Sequence, residues 1–280
     1  MDDDLIGLAD RLEDAITCEK VAWFARVAVV RETGSTQDFA RSFASGRPGI
    51  VVIAGRQTGG RGRLGRKWAD TSHKGVAMTF VLDSRDLPVE RLSLAAGVAA
   101  CRVCEAALVG VPGVADPRRR VGIKWPNDVC ERPAGIGEGP GRKLAGVLIE
   151  QTGVAAGAER GGLSLIGIGI NVLQTREDWE EGLATRVASL AELGSTWGRA
   201  AVAERLMVEL DRALRLSENE LGEMWRQREM LIGRRGRFVS DGREYGGVVE
   251  AIDPGNCIVL RVESGEQVRL PALVTSVVRE

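Results

Sequence analysis

The chain has a single histidine, His73, and five scattered cysteines, of which only Cys101 and Cys104 are close enough to form a C-x-x-C motif. A structural zinc site needs four Cys or His ligands at close spacing, and the sequence does not supply them. That lone motif lies inside SLAAGVAACRVCEAALVG, which reads as a buried helix, while His73 lies in TSHKG and reads as a surface turn residue. An odd number of unpatterned cysteines is no disulfide framework either, so a reducing cytoplasm is the simplest compartment. No run of 18 apolar residues occurs, which leaves no spanning helix and no membrane partner. The N-terminus, MDDDLIGLAD, carries three acids where a secretory signal requires basic residues. Positive charge is not in excess: 38 Lys and Arg stand against 39 Asp and Glu, for a net charge of −1. A dedicated nucleic-acid binder would show a basic surplus.

The 280 residues suffice for one sizeable domain plus a smaller one. Residues 4–18 read as an amphipathic helix and Arg26 to Arg31 as a strand. TGSTQDFARSFASG turns into helical spacing, with Phe39 and Phe43 at i and i+4 and Ser35 or Thr36 as the N-cap. GIVVIAG (49–55) and VAMTFVLD (76–83) are strands on either side of a long Gly/Arg-rich loop, and Pro88 opens a helix through about Leu108. VGIKW is a strand ending at Pro126, and residues 130–142 form a glycine-rich connection. RKLAGVLIEQT and LSLIGIGINV are strands paired across a turn. Residues 196–230 read as helical. From Leu231 five short strands follow at tight spacing, separated by DG, DPGN and SG turns, which predicts a small β-barrel. The boundary is set near 230, with residues 1–230 as one domain and 231–280 as the other.

GGRGRLGRKW (59–68) holds the densest chemistry and admits three readings. Gly60, Gly62 and Gly65 fit the dinucleotide pattern G-x-G-x-x-G, but that motif needs a helix after its last glycine, and a polar stretch and another strand follow here. P-loop spacing is also present, yet Arg66-Lys67 stands where Lys-Ser/Thr is required to reach Mg²⁺. The third reading rests on charge. Arg61, Arg63, Arg66 and Lys67 place four cations in seven residues, and guanidinium forks match phosphate oxygens. Such a loop is expected to be held open by self-repulsion until an anion arrives. Trp68 then offers a flat surface to a heterocycle; the competing account is a basic hairpin tip ending in a core tryptophan.

GRGRLGRKW resembles the signature loop of the biotin–protein ligases, and further segments follow in that family's order. STQ (35–37) resembles its Ser-Thr-Asn element, with Gln37 where Asn is usual. KWPND (124–128), RKLAGVLIE (142–150) and IGIGIN (166–171) complete the set. The resemblance implies an α+β fold: a mixed β-sheet catalytic domain flanked by helices, class II synthetase-like, plus a small C-terminal SH3-like β-barrel. It implies ATP, biotin and Mg²⁺ as reactants and cofactors. The carboxylate of biotin would attack the α-phosphorus to give biotinyl-5′-AMP, which a lysine of a biotin carboxyl carrier protein domain would then receive.

By the same resemblance, Arg61 and Arg63 would hold phosphate, Arg66 would reach the triphosphate, and Gly60 and Gly62 would let the loop backbone cover biotin. Ser35, Thr36 and Gln57 would bind the ureido ring, with Gln37 beside them. Hydroxyls and amides suit a neutral urea because they both donate and accept. Lys143 opens an apolar strand, where an inward cation needs an anionic partner that the ligand would supply; an exposed edge lysine is the alternative. Gly146, Gly167 and Gly169 would leave a surface bare of side chains for a flat ligand, with Asn171 at its rim. Lys124, Asn127 and Asp128 would face the triphosphate, ribose or metal, and Asp128 could help the acceptor lysine lose its proton; a capped turn would produce the same sequence. Catalysis is assigned to Lys143, Arg63 and Asp128, and no residue is assigned as a resident metal ligand.

Three other functions compete. A covalent-lysine nucleotidyl transferase would use Lys-x-Asp-Gly, but Lys143-Leu144-Ala145-Gly146 lacks the acid. Lipoyl- or octanoyl-transferring enzymes of the same fold share the inward lysine but are not expected to carry GRGRLGRKW, because transfer from a thioester requires no ATP phosphates. A biotin-sensing repressor would need a winged three-helix domain before the site, and about 30 residues are too few for one. The chain is expected to be a monomer or homodimer.

Overall fold

A computed structural model of the chain describes residues 6–69, 73–132, 141–153 and 162–278. Residues 4–5, most of the 130–142 connection and the centre of the turn before Leu163 therefore lie outside the described residues.

The first 171 residues build a seven-stranded sheet. Its strands are β1 (Arg26–Thr33), β2 (Ile50–Gln57), β3 (Gly75–Asp83), β4 (Val121–Lys124), β5 (Asp128–Glu131), β6 (Lys143–Gln151) and β7 (Leu163–Asn171). Their order is β1-β2-β3-β7-β6-β5-β4, with β1 parallel to β2 and all other neighbours antiparallel. The unbroken apolar run in β2 makes sense because both faces are covered. Val51 and Ile53 join the large core under α3 (Val89–Ala107), whereas Ile50 and Val52 pack with Ala40 and Ala44 of α2 (Thr36–Ala44). Small residues Ala95, Ala96, Ala99 and Ala100 are fully buried, letting α3 lie close to β6, β7 and α4 (Arg199–Arg215). α1 (Leu8–Cys18) packs on α4 and β1.

Two elements differ from the sequence reading. The helical stretch 196–230 is split: Leu216 is extended, and Ser217 starts α5 (Glu218–Arg226) through a reciprocal cap, accepting from Glu220 N at 3.3 Å while Glu220 accepts from Ser217 N at 2.9 Å. The S-x-x-E signature that announces such a cap was present at 217–220. The turn after Pro126 leads at once into β5, a four-residue strand hydrogen-bonded between β4 and β6.

Helix gives way to strand between Arg226 and Arg235, after which β8 (Arg235–Ser240), β9 (Arg243–Asp253), β10 (Cys257–Val262), β11 (Gln267–Pro271) and β12 (Thr275–Val278) form an antiparallel sheet ordered β11-β10-β9-β8-β12. Phe238, Val249, Ile258, Leu260 and Leu270 are buried in the same core as the larger sheet. Trp125, 1% exposed, donates from Nε1 to Pro254 O at 3.0 Å across the seam. Among the described residues no helix is long and apolar enough to cross a membrane.

Candidate active site

Where β2, β3, β6 and β7 meet the 59–68 hairpin and β12, a cavity of about 150 Å³ opens to solvent. Its lining includes six cations (Arg61, Arg63, Arg66, Lys67, Lys124 and Lys143) and one carboxylate, Asp128. A cavity so unbalanced in charge favours an anionic ligand.

The hairpin is closed. Gly62 N donates to Arg66 O at 2.7 Å and Trp68 N to Gly60 O at 3.0 Å, with a tight turn at Arg63–Gly65 in which Leu64 holds a left-handed φ of 55°. Gly60 is required by close approach, since a Cβ there would stand 2.9 Å from Trp68 O. The expected self-repulsion is offset by partners distant in sequence. Arg61 binds Asp38 on α2, through Nη2 at 2.9 Å, and reaches Glu150 on β6 at 3.3 Å; Arg41 joins the same two acids. The hydrogen bond to Asp38, chief among these contacts, raises the Arg61 pKa, and the same bond lowers that of Asp38 against the opposing effect of burial. Arg61 is therefore first a latch in this structure, although it also lines the cavity.

Arg63 crosses to the C-terminal sheet. Its Nη2 donates to the main-chain oxygens of Ala272 and, at 3.2 Å, Leu273, and its Nη1 reaches Asn127 Oδ1 at 3.4 Å. Burial pushes the Arg63 guanidinium down from its ordinary value, Asp128 opposes that, and Arg66 adds to it. Asn127 is held inward, its Nδ2 donating to Val147 O at 2.6 Å.

Lys143 has an anionic partner within the protein: Asp128 Oδ1 lies 2.6 Å from its Nζ. The expectation that only a ligand would supply that anion is corrected, and the cause is β5, whose first residue is brought beside β6 by the unanticipated strand pairing. The same ammonium stands 5.4 Å from the centroid of the Trp68 ring. Lys124, 5% exposed, is paired in register with Asp128 across the β4–β5 turn.

The glycine surface is real, but protein groups occupy much of it. A Cβ on Gly169 would lie 2.5 Å from the Trp68 indole, one on Gly146 2.7 Å from Lys143 Nζ, and one on Gly167 2.4 Å from Gln37 Nε2. The flat group lying against Gly169 is thus Trp68. Asn171 is not at the rim: it is 3% exposed, lies outside the cavity lining, and donates from Nδ2 to Lys143 O at 3.2 Å and Ala188 O at 2.9 Å. A buried amide donating to two main-chain carbonyls on neighbouring segments is a structural tie.

At the far end, Ser35 caps α2 by accepting from Gln37 N at 3.3 Å, which leaves its proton for another acceptor. Thr36 donates from Oγ1 to Gln57 Oε1 at 3.1 Å, Thr36 N donates to the same oxygen at 2.8 Å, and Thr79 Oγ1 donates to Thr36 Oγ1 at 2.9 Å. The Thr36 proton is therefore spent on orienting Gln57, whose nitrogen end is set opposite the engaged oxygen. Of the two, Ser35 is the cap and Thr36 is the first residue of the helix, and both line the cavity.

Sequence reading missed several contributors. Thr275, Ser276 and Val277 of β12 line the cavity, as do Val147 and Leu148; no local pattern marks a strand from a distant unit as a site wall. Asp38 carried no motif, and Glu150, the last residue of RKLAGVLIE, was given no role. Arg199, 1% exposed, donates to Gly75 O at 2.8 Å and Gly55 O at 3.0 Å, tying together the two strands that bear the hairpin. Among the described residues no group of three or more His, Cys, Asp or Glu is placed to hold a metal.

The sequence model of the biotin/lipoate A/B protein ligase family matches residues 28–171. The chain is 34% identical over 245 residues to a biotin–[acetyl-CoA-carboxylase] ligase of Mycobacterium tuberculosis, covering 84% of this chain and 82% of that one. It is 30% identical over 246 residues to the bifunctional ligase/repressor BirA of Bacillus subtilis, covering 84% and 68% respectively. In fold it is similar to the biotin protein ligase of Aquifex aeolicus in complex with biotin and ATP, with a TM-score of 0.71 and 24% identity over 92% of this chain and 100% of that one. With the family match spanning half its length and a relative of that identity aligned over most of both chains, this protein belongs to the biotin/lipoate A/B protein ligase family.

Proposed function

We propose that the chain is an ATP-dependent biotin–protein ligase, acting on a carboxylase carrier domain. The observation that carries this reading is one cavity with six cations around a single carboxylate at one end and hydroxyl and amide groups of α2 and β2 at the other. A carboxylate and a triphosphate repel each other, and the cations hold them together in attack geometry. In the first step a biotin carboxylate oxygen bonds to the α-phosphorus as the bond to pyrophosphate breaks. Arg63 and Arg66 bind phosphate oxygens, and Lys143 bridges the carboxylate and the α-phosphate. In the second step a neutral lysine amine of the acceptor attacks the acyl carbon and AMP leaves. Asp128 takes the amine proton in this reading, which its position beside Lys143 supports.

Among the described residues no cluster of acids, histidines or cysteines forms a metal cage, and Asp128 is the one acid in the cavity lining. Mg²⁺ accordingly enters as part of the nucleotide substrate, where it neutralises triphosphate charge. Residues 1–230 serve as the catalytic domain and 231–280 as a second domain that completes the cavity through β12. The free cysteines suit a reducing cytoplasm.

The test is biotin-dependent exchange of labelled pyrophosphate into ATP, followed by transfer to a carrier domain. Wild type should catalyse both, and Lys143→Met should lower exchange at least 100-fold without unfolding the protein. Absence of biotin-dependent exchange in the wild-type chain would refute the assignment.

A further inference from the structure

Lys143 opens β6 three residues before Gly146, and strict alternation along a strand would set the two on opposite faces. They share one face instead: a Cβ on Gly146 would stand 2.7 Å from Lys143 Nζ. The alternation breaks at a bulge. Asp128 pairs with Gly146 and Val129 with Ala145, but Cys130 pairs with Lys143, so Leu144 is left over. A bulge of this kind re-aims a side chain, and here it brings the ammonium to Asp128. Closing it up by one residue would restore the regular ladder and turn Lys143 away from the cavity.

The residue beside Lys143 reaches both neighbours of this end of β6. Arg142 forks onto Glu131 of β5, with Nε donating to Oε2 at 2.7 Å and Nη2 to Oε1 at 3.1 Å. Its Nη1 donates to Glu192 Oε1 at 3.2 Å. Glu192 is itself fixed, its Oε2 accepting from Ser189 N at 3.0 Å and Trp179 Nε1 at 3.2 Å. The main chain runs between the same two walls. Glu131 N donates to Arg142 O, Lys143 N to Arg186 O and Ala188 N to Lys143 O, each at 2.9 Å. A slip of one residue is about 3.3 Å along the strand, enough to part the guanidinium from both carboxylate oxygens of Glu131. Arg142, Glu131 and Glu192 all lie outside the cavity lining, so their part is not contact with a ligand there.

We propose that Arg142 is a positioning residue: by clamping Glu131 and Glu192 it holds the bulge that keeps the Lys143 ammonium on the cavity face beside Asp128. This rests on the ligase reading above and goes further by giving a part in the reaction to a residue that meets no substrate. A guanidinium suits the task because it binds both oxygens of one carboxylate in a plane and still has a donor for a second acid.

The test uses the full chain with Arg142→Met, which keeps much of the packing stem and removes every donor. One arm is acetylation by limiting acetic anhydride, read by mass spectrometry as Lys143 labelling relative to Lys67. Freed from its ion pair, Lys143 should label about 2- to 5-fold more, the factor that one partly exposed pair carries. The other arm is biotin-dependent exchange. Its kcat should fall about 10- to 100-fold, the cost of misplacing a reacting group, and Arg142→Met should add almost nothing in a Lys143→Met background. Unchanged or lowered Lys143 labelling, wild-type exchange, or penalties that add in full in the double variant would each make Arg142 a packing residue and overturn the proposal. Should Arg142→Met fail to fold, Arg142→Lys, which keeps the charge and loses the fork, takes its place with the same outcomes. Wild type without biotin-dependent exchange overturns the ligase reading itself, whereas the labelling arm still decides the clamp.

Discussion

Replacing Gly169 with alanine should disable the site through Trp68. The added Cβ would stand 2.5 and 2.6 Å from two carbons of the indole, where ordinary contact begins at 3.4 Å, so the ring must move by about 1 Å. It cannot move alone, because it also lies 3.1 Å from the Cβ position of Gly146 and has the Lys143 ammonium 5.4 Å from its centroid. Overpacking of this kind costs about 1–3 kcal/mol in stability. A displacement of that size next to reacting groups costs on the order of 100-fold in rate, about 2.7 kcal/mol in activation free energy. Gly169→Ala should thus lower kcat/KM for biotin-dependent exchange about 100-fold. Gly246→Ala, where a Cβ meets nothing within 4 Å, should leave it unchanged. The decisive arm is a double-mutant cycle: with Trp68→Ala in place there is no ring to collide with, so the Gly169→Ala penalty should nearly vanish. Wild-type exchange in Gly169→Ala, or fully additive penalties in the double mutant, would refute the reasoning.

Arg63→Ala should reduce exchange about 10- to 1000-fold and lower hydrogen-exchange protection around residues 271–278, since it removes both the cation proposed to bind phosphate and the donor to the Ala272 and Leu273 carbonyls; unchanged protection there would separate the two roles and remove the second. The Asp38 pKa lies below its ordinary carboxylate value, chiefly through the Arg61 hydrogen bond. Its contribution is therefore fully present above about pH 4 and lost as pH falls through the depressed value. Proteolytic protection of residues 59–68 should be flat from about pH 5 to 9 and fall only below about pH 4; a midpoint near neutrality would contradict the latch. Burial pushes the Cys104 thiol up to about 12 and raises Cys101 as well, so native labelling with a thiol reagent at pH 8 should modify exposed Cys18 and spare Cys101 and Cys104 until denaturant is added.

Elements with strong local signals were readable from sequence. The uninterrupted apolar β2, the Pro88-initiated helix, the Ser35 cap and the five C-terminal strands all form from residues adjacent in the chain. The break at Ser217 was readable too, because its capping box was written at 217–220, but helical spacing on both sides masked it. β5 was not: Asp128–Glu131 is four residues long and becomes a strand only by pairing with β4 and β6. The site divides in the same way. Motifs located the hairpin, Lys143 and the Ser35–Gln57 end, which share one cavity. They could not tell that Asp128 already answers Lys143, that Asp38 and Glu150 hold Arg61, or that Asn171 props β6 from beneath. Each of those facts depends on contacts between residues separated by 15 to more than 80 positions, for which local spacing holds no information.

The acceptors that Arg63 finds on the C-terminal sheet are main-chain oxygens. The side chain at 273 can consequently drift without loosening that contact; Leu273 is 79% exposed, whereas Ala272 is packed in the core. What evolution must preserve there is the path of the turn between β11 and β12. Grafting a C-terminal unit with a shorter or longer turn should uncouple it from the Arg63 side of the cavity, even if every side chain in the graft were matched.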